Sequence, residues 1–182
     1  MTTANKLTLL RMALIPVFLG VLYAGFPGSR YVALGVFVAA SLTDFADGYI
    51  ARHYNQITNF GKFMDPLADK VLVMAAMCWF VEAGRMPGWV LAVVLLREFA
   101  VSGMRLVAVE QGRVIAAGWS GKIKTAATMV CLILMLLIPA PEPWDSAPDF
   151  IAAVSNAVIV VTTLYSGIEY FIKNRDVFKN VD

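Results

Sequence analysis

Charged side chains are scarce in this chain. Of its 182 residues 15% are charged and 59% are hydrophobic, and the mean hydropathy is +0.71. A chain this apolar has too few polar side chains to cover its hydrophobic surface in water. The shortage of charge therefore excludes an ordinary soluble domain and predicts an integral membrane protein. The net charge of +2 gives no indication of nucleic-acid binding.

Cysteine and histidine are nearly absent, since the chain contains only Cys78, Cys131 and His53. Both cysteines lie in apolar runs without a CxxC spacing or a nearby histidine, so we predict buried thiols. We interpret His53 as an ordinary solvated side chain. Zinc and redox chemistry are thereby disfavoured.

Apolar segments of about 20 residues, the length that spans a bilayer, alternate with turn-rich pieces. They cover roughly residues 7–25, 31–52, 67–84, 88–110, 121–139 and 149–172. No repeat or soluble domain interrupts them. We predict an all-α integral membrane protein with six transmembrane helices, forming a single domain over residues 1–182.

The lysines and arginines are distributed unevenly between the two sides of this six-helix arrangement. Only Arg30 and Arg85 fall on the side opposite the N-terminus, and Arg97 lies inside the fourth segment. Because positive residues are retained on the cytoplasmic side, both termini are predicted to be cytoplasmic. The loop between the second and third segments then faces the cytoplasm too.

Two pairs of aspartates flank that loop. Asp44 and Asp47 are three residues apart, and Asp65 and Asp69 are four apart, so each pair shares one helical face. Such carboxylates repel one another unless protons or cations neutralise them, and a cluster of oxygen ligands selects Mg²⁺ or Mn²⁺. The alternative for Asp65, which precedes Pro66, is a helix cap. Charge inside a membrane segment, as at Asp44, is normally functional.

Small residues and an arginine accompany the aspartates. Gly48, Ala51 and Gly61 remove bulk where a ligand or a neighbouring backbone can approach. Arg52 ends the second segment with a guanidinium suited to phosphate. Together with paired cations, these residues describe a phosphoryl-transfer site.

The pattern D-x2-D-G-x2-A-R-x8-G-x3-D-x3-D, which runs from Asp44 to Asp69, is the signature of the CDP-alcohol phosphotransferases. The chain resembles this family over nearly its whole length. "NKLTLLR" is similar to the family's short amphipathic segment leading into the first helix. Other stretches resemble the bacterial branch that makes phosphatidylglycerophosphate, namely "DPLADKVL", "REFAVSGMRLVA" and "GKIKTAATM".

The resemblance implies a bacterial cytoplasmic-membrane enzyme, a homodimer, that transfers the phosphatidyl group of CDP-diacylglycerol to glycerol 3-phosphate and releases CMP. Two Mg²⁺ or Mn²⁺ ions would be held by Asp44, Asp47, Asp65 and Asp69, with Asp69 as general base. The residues matched to CDP-diacylglycerol binding are Asn5, Thr8, Gly48, Ala51, Arg52, Thr58 and Gly61. For Asn5 and Thr8 a helix cap is the alternative, and for Thr58 an ordinary loop hydroxyl.

The acceptor carries a phosphate dianion, so further cations are expected near the cytoplasmic face. Arg105, Lys122 and Lys124 are the candidates, although the positive-inside bias alone would also place them there. Arg113 is a weaker candidate because it lies in a turn. Arg97 is too deep for that bias, and either reaches the pocket or pairs with Glu98 or a carboxylate on another helix.

Three alternatives remain open. Within the family, inositol phosphate, serine or phosphatidylglycerol could be the acceptor. Outside it, intramembrane carboxylates also occur in cation transporters and proton relays, but here they cluster toward one face and no inverted repeat accompanies them. A catalytically silent membrane scaffold is the third, and the complete aspartate set disfavours it.

Overall fold

The computed structural model describes residues 3–53, 59–116, 118–139 and 149–178, and within these ranges the side chains other than 3–6, 44–53, 59–66, 69 and 178. The described residues form helices and connecting turns, with no strand among them. The helices are α1 Thr3–Ala24, α2 Ser29–His53, α3 Asn59–Glu82, α4 Gly88–Glu110, α5 Trp119–Leu137 and α6 Phe150–Lys173, followed by a short 3₁₀ helix at Arg175–Phe178. The all-helical prediction is confirmed.

The predicted boundaries agree with the helices to within about two residues except at the starts of α1 and α3, which begin earlier than predicted. Helix α3 begins at Asn59 rather than near residue 67, so Asp65 lies inside it and the helix-cap alternative is wrong. Thr8 likewise lies inside α1, which begins at Thr3, and does not cap it. Both differences have one cause: polar residues in a first helical turn hide the apolar periodicity on which the boundaries were predicted.

Three described helices contain runs that are long and apolar enough to cross a membrane, at Leu7–Ala24, Trp119–Leu137 and Phe150–Lys173. The part of α2 whose side chains are described forms a shorter apolar run, Ser29–Thr43. The apolar surface of α4 is interrupted in its middle by Arg97 and Glu98. The membrane class is confirmed, while six crossings stay a prediction.

Cys131 is buried as predicted, but Cys78 is exposed, so the prediction of a buried thiol is wrong there. A membrane helix is apolar on its outward face as well as its inward one, so an apolar run does not indicate which way a residue points.

The chain divides into two compact units. The first comprises residues 1–80 and 136–139, and the second comprises residues 81–135 and 140–182. In the first unit α1 packs along α2, and a turn containing Gly25 and Gly28, whose φ angles are 61° and 86°, reverses the chain between them. The rings of Phe18 and Phe37 meet across this antiparallel pair with centroids 5.7 Å apart.

In the second unit α4 packs against α6. Its apolar core consists of Val101, Met104, Ala108, Tyr170 and Val177. The start of α6 is fixed by Asp149, whose side chain accepts a hydrogen bond from the Ala152 backbone N–H at 2.9 Å and forms a two-pronged ion pair with Arg85 at 2.6 and 3.2 Å. Arg85 also donates to the Met135 carbonyl at 2.5 Å, so one buried arginine joins three segments of this unit.

Candidate functional site

The four aspartates of the predicted metal site lie in two helices. Asp44 and Asp47 lie in α2, and Asp65 and Asp69 lie in α3, at helical spacings that put each pair on one face. Their side chains lie outside the described set, as do those of four matched CDP-contact residues within the same helices, namely Gly48, Ala51, Arg52 and Gly61. Thr58 lies outside the described residues.

The donor set of this region fits a hard divalent cation. It consists of carboxylate oxygens alone, which suit Mg²⁺ and Mn²⁺ and give zinc or copper neither nitrogen nor sulfur ligands. Among the side chains that the structure describes, no group of three acidic, histidine or cysteine residues could hold a metal ion. The aspartates of α2 and α3 stay the metal ligands that the sequence predicts.

The first helix brings polar groups into the interior of the same unit. Thr8 is 1% exposed and Arg11 is 0% exposed, although each lies on a helix that is otherwise largely apolar. Asn5 lies one turn before Thr8, and its side chain is not among those described. The face of α1 that carries Thr8 and Arg11 thus points inward.

The three cations matched to the acceptor phosphate have different surroundings in the second unit. Lys124 is buried, and its ammonium lies 2.9 Å from Glu98 Oε1. Lys122 is exposed, with its ammonium 5.0 Å from the centroid of the Trp119 ring. Arg105 donates from Nε to the Tyr170 hydroxyl at 3.1 Å. Lys124 is therefore engaged by a carboxylate, whereas Lys122 has its ammonium on the surface.

Arg97 pairs with its neighbour Glu98, one of the alternatives that the sequence left open for it. Its Nη1 lies 2.9 Å from Glu98 Oε1, and its Nη2 donates to Ser166 Oγ on α6 at 2.7 Å. Glu98 thus forms ion pairs with both Arg97 and Lys124. These contacts connect α4 to α5 through Lys124 and to α6 through Ser166. We call these residues the Glu98 cluster: Arg97, Glu98, Lys124 and Ser166.

A cavity of about 370 Å³ opens where α5 begins and α6 ends, within the range of ~300–1,000 Å³ typical of small-molecule sites. Its polar lining comprises Arg113, Ser120, Glu169, Tyr170, Lys173 and Asn174. Lys173 is paired with Glu169, while Arg113 is exposed and has no ion-pair partner among the described side chains. A cavity lined by an arginine that forms no described ion pair, beside the first turn of a helix, is suited to an anion.

The sequence places Arg113 at this cavity through the end of α4. Gly112 takes the left-handed conformation with φ 71°, the Gly112 N–H bonds the Val109 carbonyl at 2.9 Å, and the Arg113 N–H bonds the Ala108 carbonyl at 2.8 Å. This is the Schellman arrangement, for which glycine is favoured. The dipeptide "GR" therefore ends the helix and directs the chain toward the cavity.

Sequence reasoning ranked Arg113 below the other cations because a turn suggested simple solvation, and it did not select Ser120 or Lys173. The available signal was their position, since all three lie at helix ends that a six-helix topology brings to one side. Arg105 borders the cavity indirectly, because its guanidinium carbon lies 5.5 Å from the ring centroid of the cavity residue Tyr170.

Comparison with known proteins gives consistent matches. The sequence profile of the family described as CDP-alcohol phosphatidyltransferase matches residues 1–166. A Bacillus subtilis (strain 168) protein named CDP-diacylglycerol–glycerol-3-phosphate 3-phosphatidyltransferase is 43% identical over 187 residues, covering 96% of each chain. A Mycobacterium tuberculosis (strain H37Rv) protein named probable phosphatidylglycerophosphate synthase is 39% identical over 92% of this chain and 78% of its own. A Shigella flexneri serotype 5b protein with the same name as the Bacillus one is 38% identical over 90% of each chain.

Proposed function

This chain belongs to the CDP-alcohol phosphatidyltransferase family, and on that premise we propose that it transfers the phosphatidyl group of CDP-diacylglycerol to sn-glycerol 3-phosphate, giving phosphatidylglycerophosphate and CMP. The observation that carries the proposal is the near full-length similarity to relatives named for that reaction, at 38–43% identity. The uninterrupted aspartate motif supports it, because each position of the signature is present.

The family uses divalent metal ions, and we propose that two Mg²⁺ or Mn²⁺ ions are held by Asp44, Asp47, Asp65 and Asp69. Ions bound there would neutralise charge on the pyrophosphate, make its phosphorus more electrophilic and help CMP to depart. The nucleotide lipid is bound by Asn5, Thr8, Gly48, Ala51, Arg52, Thr58 and Gly61. Thr8 supports this assignment, because its hydroxyl is on the inward face of α1.

We assign Asp69 as the general base. The oxygen of the glycerol 3-phosphate 1-hydroxyl forms a bond to the β-phosphorus, the bond from that phosphorus to the CMP oxygen breaks, and the hydroxyl proton passes to the Asp69 carboxylate. A carboxylate near a cation is a weak base at equilibrium, but its position is sufficient when the proton is lost late in the reaction. The remaining aspartates then need only bind metal.

For the acceptor phosphate the sequence suggests Arg105, Lys122 and Lys124, and we extend that set to the cavity of the second unit. Arg113 supports the extension, because it lines the cavity and forms no ion pair with a described carboxylate. Arg105 donates a hydrogen bond to the hydroxyl of Tyr170, which lines the cavity. Lys122 lies in the first turn of α5, two residues after Ser120. Lys124, whose ammonium is paired with Glu98, remains the third candidate.

We further propose that the two units form one domain over residues 1–182 and that α1 to α6 cross a bacterial cytoplasmic membrane, as a homodimer with both termini and the active site on the cytoplasmic side. The match of the family profile to residues of both units supports the single domain. The lysines and arginines concentrated on the N-terminal side support the orientation. Homodimerism rests on the family resemblance.

The reaction is tested by incubating the purified protein in detergent with CDP-diacylglycerol and Mg²⁺, and supplying each acceptor separately. CMP release is expected with glycerol 3-phosphate and not with serine, inositol phosphate or phosphatidylglycerol. Turnover with one of those three and none with glycerol 3-phosphate would replace the acceptor within the family. No CMP release with any acceptor, before or after adding Mn²⁺, would leave the phosphatidyl-transfer proposal without support and favour a cation transporter.

A further inference from the structure

Arg11 is a charged side chain that the proposed reaction does not use. It lies in α1 with 0% of its surface exposed, although the positive-inside pattern alone would leave it in solvent. A guanidinium stays protonated in proteins, so burial cannot neutralise it as it can a lysine. Because a buried charge without a counter-charge costs several kcal/mol, the interior of the first unit must supply a negative group.

The first unit contains few candidates for that group. Within residues 1–80 and 136–139 the acidic residues of the sequence are Asp44, Asp47, Asp65 and Asp69. All four belong to the proposed metal site. The counter-charge of Arg11 is therefore expected among the same carboxylates that would bind metal.

The register between α1 and α2 selects one of them. Phe18 and Phe37 face each other across the antiparallel pair, with ring centroids 5.7 Å apart. Seven residues make about two helical turns and return to the same face. Seven residues before Phe18 is Arg11, and seven residues after Phe37 is Asp44. Since the helices run in opposite directions, these two positions lie at the same level on the facing sides.

The other buried positions follow the same register. The buried residues of α1 are spaced alternately three and four apart, as in a packed helical seam: Thr8, Arg11, Ile15, Phe18 and Leu22. On α2 the buried positions Ala33, Phe37 and Ala40 have the complementary spacing. Ile15 is level with Ala40, and Leu22 is level with Ala33. Continuing the α2 series by four and then three residues gives Asp44 and Asp47, so the spacing predicts seam positions for both aspartates.

We propose that Arg11 is a positioning residue whose guanidinium is the permanent counter-charge of Asp44 in the α1–α2 seam. The pair holds the Asp44 carboxylate in place, and the positive charge of Arg11 offsets the repulsion among the aspartates when no cation is bound. The expected effect of Mn²⁺ on the Tm rests on the proposed metal site. The Arg11–Asp44 pair itself can be tested without metal.

The pair is tested by a double-mutant cycle on the purified protein in detergent with EDTA, following thermal unfolding. Arg11→Met and Asp44→Asn each remove one partner and leave the other buried, so each lowers the Tm on the order of 10 °C. The double variant has neither charge, and its Tm lies close to that of the less stable single variant or above it. Additive losses in the double variant would overturn the pair.

If Arg11→Met does not accumulate as folded protein, the double variant decides the matter. Its accumulation at the wild-type level supports the pair, because removing the second charge relieves the cost of the first. Failure of the double variant in the same way as Arg11→Met overturns it, since packing of the arginine stem would then be the only role of Arg11.

Adding Mn²⁺ separates positioning from packing. Bound cations replace Arg11 as neutralising charge, so the Tm loss of Arg11→Met is expected to shrink in Mn²⁺ to about half of its value in EDTA. Arg85→Met is the matched control, because Arg85 is a buried arginine whose partner, Asp149, is outside the metal site. Its loss should be the same in both conditions. Equal losses of Arg11→Met with and without Mn²⁺ would contradict the positioning role.

The Tm measurements with Mn²⁺ also show which proposal has failed, the metal site or the Arg11–Asp44 pair. If Mn²⁺ does not raise the Tm of the wild-type protein, the proposed metal site fails, and the cycle in EDTA still decides on the Arg11–Asp44 pair. If Mn²⁺ stabilises the wild type and the cycle shows no coupling, the metal site stands and the Arg11 inference fails.

Discussion

Replacing Glu98 with glutamine tests whether the Glu98 cluster contributes to the stability of the second unit. The Glu98 carboxylate lies 2.9 Å from both the Arg97 guanidinium and the Lys124 ammonium. Their side chains are 12%, 13% and 6% exposed, so all three are largely shielded from water. Glutamine keeps the shape of the residue and removes its charge, which leaves two cations together without a carboxylate.

Breaking a buried ion pair from one side costs about 3–5 kcal/mol, and we take about 3 kcal/mol because the carboxylate is partly exposed. For a chain of this length each kcal/mol corresponds to roughly 2–4 °C, so the Tm of Glu98→Gln should fall by about 6–12 °C. Thermal unfolding in detergent measures this. Glu169→Gln is the control, since its partner Lys173 is 69% exposed, and its Tm should match that of the wild type.

A second substitution sharpens the result. In the Glu98→Gln background, Lys124→Met removes one of the two uncompensated cations, so the Tm should stay level or rise. A further fall of several degrees, or a Glu98→Gln protein as stable as Glu169→Gln, would refute the reasoning. In that case Lys124 would be free of Glu98 in solution and available to bind phosphate directly.

Three other predictions concern packing, the acceptor and the base. Gly167→Val is expected to lower the Tm more than Gly20→Val does. A β-carbon at residue 167 would lie 3.3 Å from Arg97 Cγ, whereas one at residue 20 would meet no atom within 4 Å. Thermal unfolding of the two variants measures the difference. Arg113→Met raises the KM for glycerol 3-phosphate by about ten- to a hundredfold, as expected for a charge-assisted contact of ~1.5–3 kcal/mol, and leaves that for CDP-diacylglycerol within about twofold; equal changes in initial-rate assays would contradict the assignment. Asp69→Asn abolishes CMP release, and near-normal release would exclude it as the base.

Much of the fold could be predicted from the sequence because the apolar segments and the turn residues between them are local signals. The turn-rich pieces between the apolar segments predicted the ends of the helices to within a few residues. The start of α3 could not be predicted in the same way, since "NFGKFMD" is a helical stretch without an apolar face of regular period. Cys78 was assigned to the interior for a related reason, because lipid-facing and inward positions of a membrane helix are equally apolar.

The site could be predicted where its residues are close in sequence. The aspartate motif alone identified the family, and both the family and the enzyme class, a CDP-alcohol phosphatidyltransferase in a membrane, are confirmed. The partner of Lys124 could not be predicted, because Glu98 lies 26 residues away on another helix. The cavity at Arg113 joins the end of α4, the start of α5 and the end of α6, and no local pattern brings these segments together.

The most direct test of the central claim is the fate of the acceptor oxygen. The purified protein would be supplied with CDP-diacylglycerol, a divalent metal and glycerol 3-phosphate carrying ¹⁸O in its 1-hydroxyl, and the products analysed by mass spectrometry. Direct attack by that hydroxyl predicts that the lipid product retains the label and that CMP contains none. Label in CMP, or a phosphatidyl product without label, would contradict phosphatidyl transfer to glycerol 3-phosphate by this chain.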